Sequence, residues 1–356
     1  MPSAQPSTPL VPDFDILING SPLSVEMTSH VIGVTVEEDV MLPSMFEIEM
    51  TGSASRASDI EWLDDANFAI GNEVQVRIGY ANDLATIIIG EITTLEPEFA
   101  QNRAPSLTIR GYDRRHRLQR GCKTRTFTQQ KDSDIAAKIA SEANLTAQAT
   151  DSKVVHEYVL QANQTDLAFL QNRARSIQYE VVVENKTLLF RPVGNAASEI
   201  LTLNLESDLL EFYPRLSSMQ QVSEVTVQGW NFKGKQGITG QAKGGAEVSR
   251  MGGQKSGAGL VESTFGASVQ VISDRPIFTQ AEADQIAKAH FNQKVLALIS
   301  GEGLSFGRTD IKPGKVIKID GISQRFSGQY YVTTVSHRYR PAKGYYTHFT
   351  VQRNAT

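Results

Sequence analysis

The sequence has a single cysteine, Cys122, and no excess of one charge. One cysteine excludes an intrachain disulfide and a metal site built from cysteines. The 356 residues carry 35 Lys and Arg against 39 Asp and Glu, a formal net charge of -4, so nothing favours nucleic-acid or anionic-membrane binding. No apolar run approaches the roughly 18 residues that a membrane-spanning helix requires. These absences indicate a globular protein suited to a reducing compartment.

Catalytic motifs are also missing. The sequence contains neither a G-x-S-x-G nucleophile motif nor a Walker sequence. The six histidines lack the H-x-x-x-H spacing of metal ligands; they are His30, His116, His156, His290, His337 and His348. The sequence therefore predicts no catalytic, cofactor-binding or metal-binding residues, no cofactor and no enzyme activity.

The first third of the chain is dominated by alternating apolar and polar residues. Residues 1–12 are rich in proline, serine and threonine and lack the features of a secretory signal, so we expect a flexible arm and synthesis in the cytoplasm. Six alternating segments follow, the first closed by an Asn19-Gly20 turn, which is a strong hairpin signal. We predict a first β-barrel over residues 13–115.

Residues 116–198 change to a mixed pattern. Helical periodicity over 131–145 and 163–176 precedes two short strands over 179–192. We predict an α+β insert. The basic stretch 114–125 lacks interleaved aromatic residues, so it favours an exposed, salt-bridged crossover over a phosphate-binding site.

Residues 199–356 return to strands and predict a second β-barrel. The segment 232–260 is rich in glycine, lysine and serine and has few apolar residues, which predicts a long loop. Thr279 and Glu282 form the capping-box pattern of a helix, and we predict that helix over 279–299. The fold class is thus mainly β, with two related barrels and a small α+β domain.

The last fifty residues carry the most specific pattern. A Pro313-Gly314 turn leads into KVIKIDG, followed by SGQYYVTTVSHRY and YYTHFTVQRN. This pattern resembles the closing barrel of the baseplate hub proteins of contractile injection machines, namely the phage late control D family, the T4 tail hub and the N-terminal half of type VI spike proteins of the VgrG kind.

Two other segments resemble the same family. In the insert, a helix motif matches at Asn163, Thr165, Asp166, Leu167, Phe169, Leu170, Arg173 and Ala174; a second motif matches at Ala281, Glu282, Ala283, Ala287 and Ala289. The first resembles the small LysM-like domain of late control D proteins. The resemblance implies that the insert at 116–198 is LysM-like and structural.

The resemblance implies a structural baseplate hub without catalytic activity. Such a hub is a homotrimer that joins a hexameric inner tube to a trimeric spike, since two barrels per subunit give pseudo-sixfold symmetry. The implied partners are the inner tube protein, the spike protein and other baseplate or sheath-adaptor proteins, with assembly into a phage tail or injection particle. Because the sequence ends at Thr356, directly after the last predicted strand, we expect the spike to be a separate chain.

Two other functions stay open. A peptidoglycan-binding module built around the insert would retain the chain on cell walls. A tail-associated cell-wall hydrolase would clear a cell-wall suspension.

Overall fold

The computed structural model describes residues 11–52, 61–81 and 83–356. Residues 1–10 of the predicted arm lie outside the described residues, and the first strand begins at Pro12. The elements of the first barrel are β1 (Pro12–Ile18), β2 (Ser21–Pro22), α1 (Val25–Ser29), β3 (Val31–Asp39), β4 (Met45–Thr51), β5 (Glu73–Tyr80), β6 (Asp83–Glu98) and β7 (Ser106–Tyr112), with short 3-10 helices at Glu61–Asp64 and Ala66–Phe68.

Alternation in the sequence becomes alternation in burial. In β5, Val74, Val76 and Ile78 are fully buried while the residues between them are partly exposed. The predicted turn after β1 is formed by Asn19 and Gly20, which both adopt positive φ values of 50° and 83° as a type I′ hairpin requires.

The insert follows a 3-10 helix at Arg114–Gln119. Its elements are β8 (Lys123–Lys131), α2 (Asp132–Glu142), β9 (Thr146–Ala149), β10 (Val155–Gln164), α3 (Asp166–Ser176), β11 (Tyr179–Glu184) and β12 (Thr187–Pro192). Thr165 caps α3, where its side-chain oxygen accepts from Ala168 N at 3.2 Å. Both helices pack into one core with β11 and β12, centred on Leu170 and Phe190. The predicted mainly β fold with an α+β insert is confirmed.

The rest of the chain contains two separate sets of elements. The first comprises β13 (Glu199–Asn204), β14 (Leu209–Leu216), β18 (Ile299–Phe306), β19 (Val316–Asp320), β20 (Gly328–Arg340) and β21 (Gly344–Arg353); the second comprises β15 (Glu224–Asn231), β16 (Gln236–Lys243), α4 (Gly257–Phe265), β17 (Val269–Ile272) and α5 (Gln280–Leu296). The first set forms the second barrel around Tyr330 and Phe349. The second set encloses its own core around Phe291.

One sheet runs through both barrels. Within the described residues its thirteen strands follow the main order β14-β18-β21-β20-β3-β4-β7-β6-β5-β1-β2, with β13 and β19 branching from β20. The two barrels meet where β20 pairs antiparallel with β3. They are therefore joined by main-chain hydrogen bonds and not only by a linker.

The predicted loop at 232–260 is wrong over residues 236–243 and 257–260. It contains β16 and the start of α4, and Ile238, Ala242 and Met251 are buried. The glycines permit close packing: a Cβ on Gly240 would lie 2.3 Å from the carbonyl carbon of Ala283, so α5 contacts β16 directly. The glycine-rich composition that predicts a loop here reflects the close approach of two elements.

The second barrel predicted over 199–356 includes the strand β15, and this part of the prediction is also wrong. β15 pairs antiparallel with β16 and parallel with β17 in a separate sheet. Val225 and Val227 face α5 and supply the apolar face of that sheet. Alternation predicts a strand but not the sheet to which it belongs.

Candidate functional site: the seam between the barrels and the docked insert

The seam between the barrels consists of six aligned residue pairs, from Thr334 opposite Asp39 to Tyr339 opposite Val34. Apolar side chains reinforce it. Tyr345 of β21 lies in the core of the first barrel, and the ring of Tyr339 lies 4.9 Å from that of Phe14. The second barrel thus contributes to the packing of the first.

Polar side chains complete the seam. The fully buried His337 has its Nδ1 2.7 Å from the hydroxyl of Tyr345 and its Nε2 3.3 Å from Oε2 of Glu38. Arg340 Nη2 donates to Glu49 Oε1 at 2.5 Å. Burial raises the pKa of Tyr345, so its hydroxyl stays protonated. Acidic groups on β3 and β4 therefore face basic groups on β20.

A second buried contact joins the insert to the second barrel. Tyr331 of β20 donates from its hydroxyl to Glu180 Oε2 at 2.6 Å, and Arg191 Nε donates to Glu180 Oε1 at 2.8 Å. Glu180 and Tyr331 are 4% and 2% exposed. Burial and the nearby Glu180 carboxylate raise the pKa of Tyr331. The pair fixes β11 against β20.

The basic stretch 114–125 is the exposed crossover that its sequence favours only in part: Arg117 and residues 119–124 are exposed, whereas Arg114 and Arg115 are buried. Arg114 and Arg115 are 4% and 1% exposed, and Arg115 donates to Asp113 Oδ2 at 2.7 Å. Glu91 accepts from Arg117 at 2.7 Å and lies 2.9 Å from His116. Burial acts to raise the pKa of Glu91, but hydrogen bonds from Arg117 and His116 outweigh it and lower the pKa. The predicted salt bridges are present, and the acidic partners of these cations belong to the same chain.

Four ionisable groups form a buried cluster where the insert meets α5, and we call them the docking quartet: Asp132, His156, Arg173 and Glu282. His156 lies between two carboxylates, with Nε2 3.2 Å from Asp132 Oδ2 and Nδ1 3.4 Å from Glu282 Oε1. Arg173 Nε donates to Asp132 Oδ1 at 2.5 Å. Three members belong to the insert, and Glu282 belongs to α5.

Charge balance sets the protonation of the docking quartet. Burial acts to lower the pKa of His156, but its hydrogen bonds to Asp132 and Glu282 outweigh burial and raise the pKa to about 9. Arg173 Nη2 lies 2.8 Å from His156 Nε2, a hydrogen bond that only a neutral imidazole can accept. Protonation is favoured all the same, because two carboxylates flank the ring and a charged His156 brings the net charge of the quartet to zero.

The sequence predicts no site residues, and the histidines described above contact carboxylates of the same chain. His116, His156 and His337 lie on different elements, each beside a carboxylate. Among residues 11–52, 61–81 and 83–356, no group of three or more His, Cys, Asp or Glu is arranged to hold a metal ion. None of the helices in this part of the chain is long and apolar enough to cross a membrane.

These junctions have only a weak signal in the sequence. Glu37, Glu38 and Asp39 end β3, and His337 and Arg338 lie on β20, the strand with which β3 pairs. The opposite charges of these two strands were the available signal. It is weak because their distance along the chain leaves many other pairings open.

Comparison with known proteins places the chain in a family. A family model described as the Alg8 N-terminal domain matches residues 9–340. The chain belongs to this family. A search of curated proteins finds no match to this chain.

Solved structures share the fold of this Alg8 N-terminal domain. The 43 kDa tail protein of prophage MuSo2 from Shewanella oneidensis has a TM-score of 0.72 at 13% identity, covering 96% of this chain and 98% of that one. A tail protein from Neisseria meningitidis MC58 has a TM-score of 0.68 at 12% identity, covering 96% and 97%. An E. coli component of the type VI secretion system has a TM-score of 0.61 at 14% identity, covering 96% and 77%. The chain therefore has the fold of phage tail and type VI baseplate proteins.

Proposed function

We propose that this protein is the structural hub of a contractile tail or injection-system baseplate. In this proposal three copies form a ring that adapts the hexameric inner tube to the trimeric spike. The role is architectural and involves no catalysis. The particle, rather than the cell interior, is the place where the protein acts.

The observation that carries the proposal is the continuous sheet through two barrels. Pairing of β20 with β3 fixes the two barrels relative to each other by main-chain hydrogen bonds. A trimer of such chains would present six barrels in fixed positions, as a threefold-to-sixfold adaptor requires. Near-complete mutual coverage with the Shewanella oneidensis tail protein supports a tail role for the whole chain.

The first experiment measures the mass of the purified chain by light scattering during size exclusion. We expect a mass three times the 39.1 kDa of one chain. Two-dimensional class averages of the particles in electron micrographs should then reveal six density lobes around a threefold axis. A chain that stays monomeric at tens of micromolar and also remains on sedimented peptidoglycan would contradict the hub and favour the cell-wall-binding alternative.

A further inference from the structure

The outer edge of β17 has no strand beside it among the described residues. In the order β16-β15-β17, β17 pairs only with β15. Ser268 O accepts from Ser223 N and Glu224 N at 2.9 and 3.2 Å. These bonds determine which residues of β17 can bond to β15 in the parallel pairing. Since parallel pairing engages alternate residues, Gln270 and Ile272 bond to β15. The main-chain N–H and C=O groups of Val269 and Val271 therefore point outwards.

This edge also lacks the usual protection against added strands. Val269 and Val271 are each 53% exposed, and Glu262 is the only charged residue between positions 257 and 273. The free edge of β14 differs, since it carries Glu211, Pro214 and Arg215 within its strand. Proteins commonly block free edges with charges and prolines. β17 has neither, so its exposed main chain is open to pairing.

A cavity of about 670 Å³ adjoins β17 at the junction of the insert, α5 and the second barrel. Amide side chains line much of it: Gln178, Gln220, Gln270, Asn292, Gln293 and Gln352. The buried Oε1 of Gln270 accepts no hydrogen bond from any described residue. An unsatisfied buried acceptor of this kind indicates a missing donor.

The cavity is electrically balanced. The charged groups that line it are Arg175, Lys294, Asp39 and Glu180, whose charges sum to zero. Burial and the nearby Arg275 lower the pKa of His290, the remaining titratable imidazole of the lining, so it is neutral at pH 7. Such a cavity favours a polar but uncharged occupant.

We propose that the β17 edge and this amide-lined cavity form one binding site for an uncharged, extended segment of a partner protein that adds a strand beside Val269–Ile272. The added main chain bonds to the outward groups of Val269 and Val271. Its alternate side chains fall on the two faces of the sheet: apolar ones beside the two valines, and amide or hydroxyl ones beside Gln270. The site does not depend on the hub assignment, since a monomer would possess it equally.

The test uses the full chain and a fluorescein-labelled octapeptide of alternating valine and asparagine, with binding followed by fluorescence anisotropy. Val271→Pro removes one outward N–H and obstructs the added strand, yet spares the ladder to β15 because proline is tolerated at solvent-facing edge positions. We expect it to weaken binding by about tenfold or more. Val271→Thr keeps the N–H and the branched shape and should bind within about twofold of the wild type.

Two further comparisons localise the effect. Val271→Lys should weaken binding at least as much as Val271→Pro. Ile200→Lys also introduces a lysine, at a side chain of similar exposure on β13, and should leave binding unchanged. Gln270→Leu should weaken binding of the valine–asparagine peptide severalfold but not that of a valine–alanine peptide. Far-UV circular dichroism and the melting temperature verify that each variant is folded.

Three results would overturn the site. The wild type could fail to bind the peptide at 1 mM, or Val271→Pro could bind it as well as the wild type. Alternatively, Val271→Pro could convert an oligomer into a monomer, in which case a second copy of this chain, and not a partner segment, occupies the edge. If the Val271→Pro variant is still a trimer, the hub proposal stands whether or not the peptide binds.

Discussion

The seam between the barrels and the junction of the insert with α5 join parts of the same chain in different ways. At the seam, β3 and β20 share a ladder of main-chain hydrogen bonds, and Tyr345 of one barrel packs in the core of the other. At the insert, the contact to α5 is mostly polar: His156 meets Glu282, and Gln285 donates to Ser152 O at 3.1 Å. The two junctions should therefore differ in cooperativity and in their response to pH.

The difference has a structural consequence. A shared ladder cannot open without leaving buried main-chain groups unpaired, so the two barrels should unfold as one unit. The insert has its own core and is attached through side chains, so it should unfold more independently. In an adaptor, the first property preserves barrel spacing, and the second permits the insert to adjust.

The strongest test of this comparison is Phe46→Ala in the core of the first barrel. Phe46 is fully buried, and a Cβ on Gly111 would lie 2.3 Å from its ring, so the truncation leaves a cavity. We expect the free energy of unfolding to fall by about 4 kcal/mol. Hydrogen exchange should lose protection in β21 of the second barrel as much as in β4.

Phe190→Ala is the matched control, since Phe190 is equally buried in the core of the insert. It should reduce protection in β11 and β12 and leave β21 nearly unchanged. If Phe46→Ala left the protection of β21 intact, the seam would not couple the barrels.

The docking quartet provides the second test. Asp132→Asn removes a carboxylate that is 1% exposed and leaves Arg173 and His156 facing an uncharged amide. We expect a loss of about 3 kcal/mol, because a buried ion pair is costly to break from one side. Limited proteolysis should cut the insert first, while fragments containing the two barrels persist.

Asp151→Asn is the control, because Asp151 lies on the insert surface and pairs with Lys131 and Lys153 in solvent. Its melting temperature should stay close to that of the wild type. Equal destabilisation by the two variants would mean that burial of the docking quartet does not determine its contribution.

Local structure could be predicted from the sequence, whereas the junctions could not. The cap of α5 by Thr279 is a short-range pattern, and Thr279 Oγ1 accepts from Glu282 N at 3.2 Å as expected. The β3–β20 pairing joins residues as far apart along the chain as Val34 and Tyr339, and no local pattern encodes it. Arg115 was expected at the surface, because its partners Asp39 and Ser44 become neighbours only in the fold.

The pH dependence of stability distinguishes the two junctions further. The folded pKa of His156 is about 9, above its ordinary value of 6.5, so the protonated ring stabilises the fold fully below pH 6.5. This stabilisation, on the order of 3 kcal/mol, is lost as pH rises through 9. The difference in unfolding free energy between the wild type and His156→Gln should therefore shrink between pH 7 and pH 10.

His348→Gln serves as its control. Burial and Arg338 lower the pKa of His348, so its ring is neutral throughout that range. The difference between His348→Gln and the wild type should stay constant from pH 7 to pH 10. A constant difference for His156→Gln as well would indicate that His156 is neutral in the fold and accepts from Arg173.

The smallest expected effect concerns the ion pair across the seam between Arg340 and Glu49, whose side chains are 35% and 28% exposed. A double-mutant cycle of Arg340→Ala and Glu49→Gln in 0.15 M salt should give a coupling energy below about 1 kcal/mol, since solvent screens the pair. The coupling should fall further in 1 M salt. Because the ladder and the apolar contacts remain in both variants, β21 should keep its protection in hydrogen exchange. A coupling of several kcal/mol would mean that charge, rather than the ladder, holds the barrels together, and the contrast with the insert would disappear.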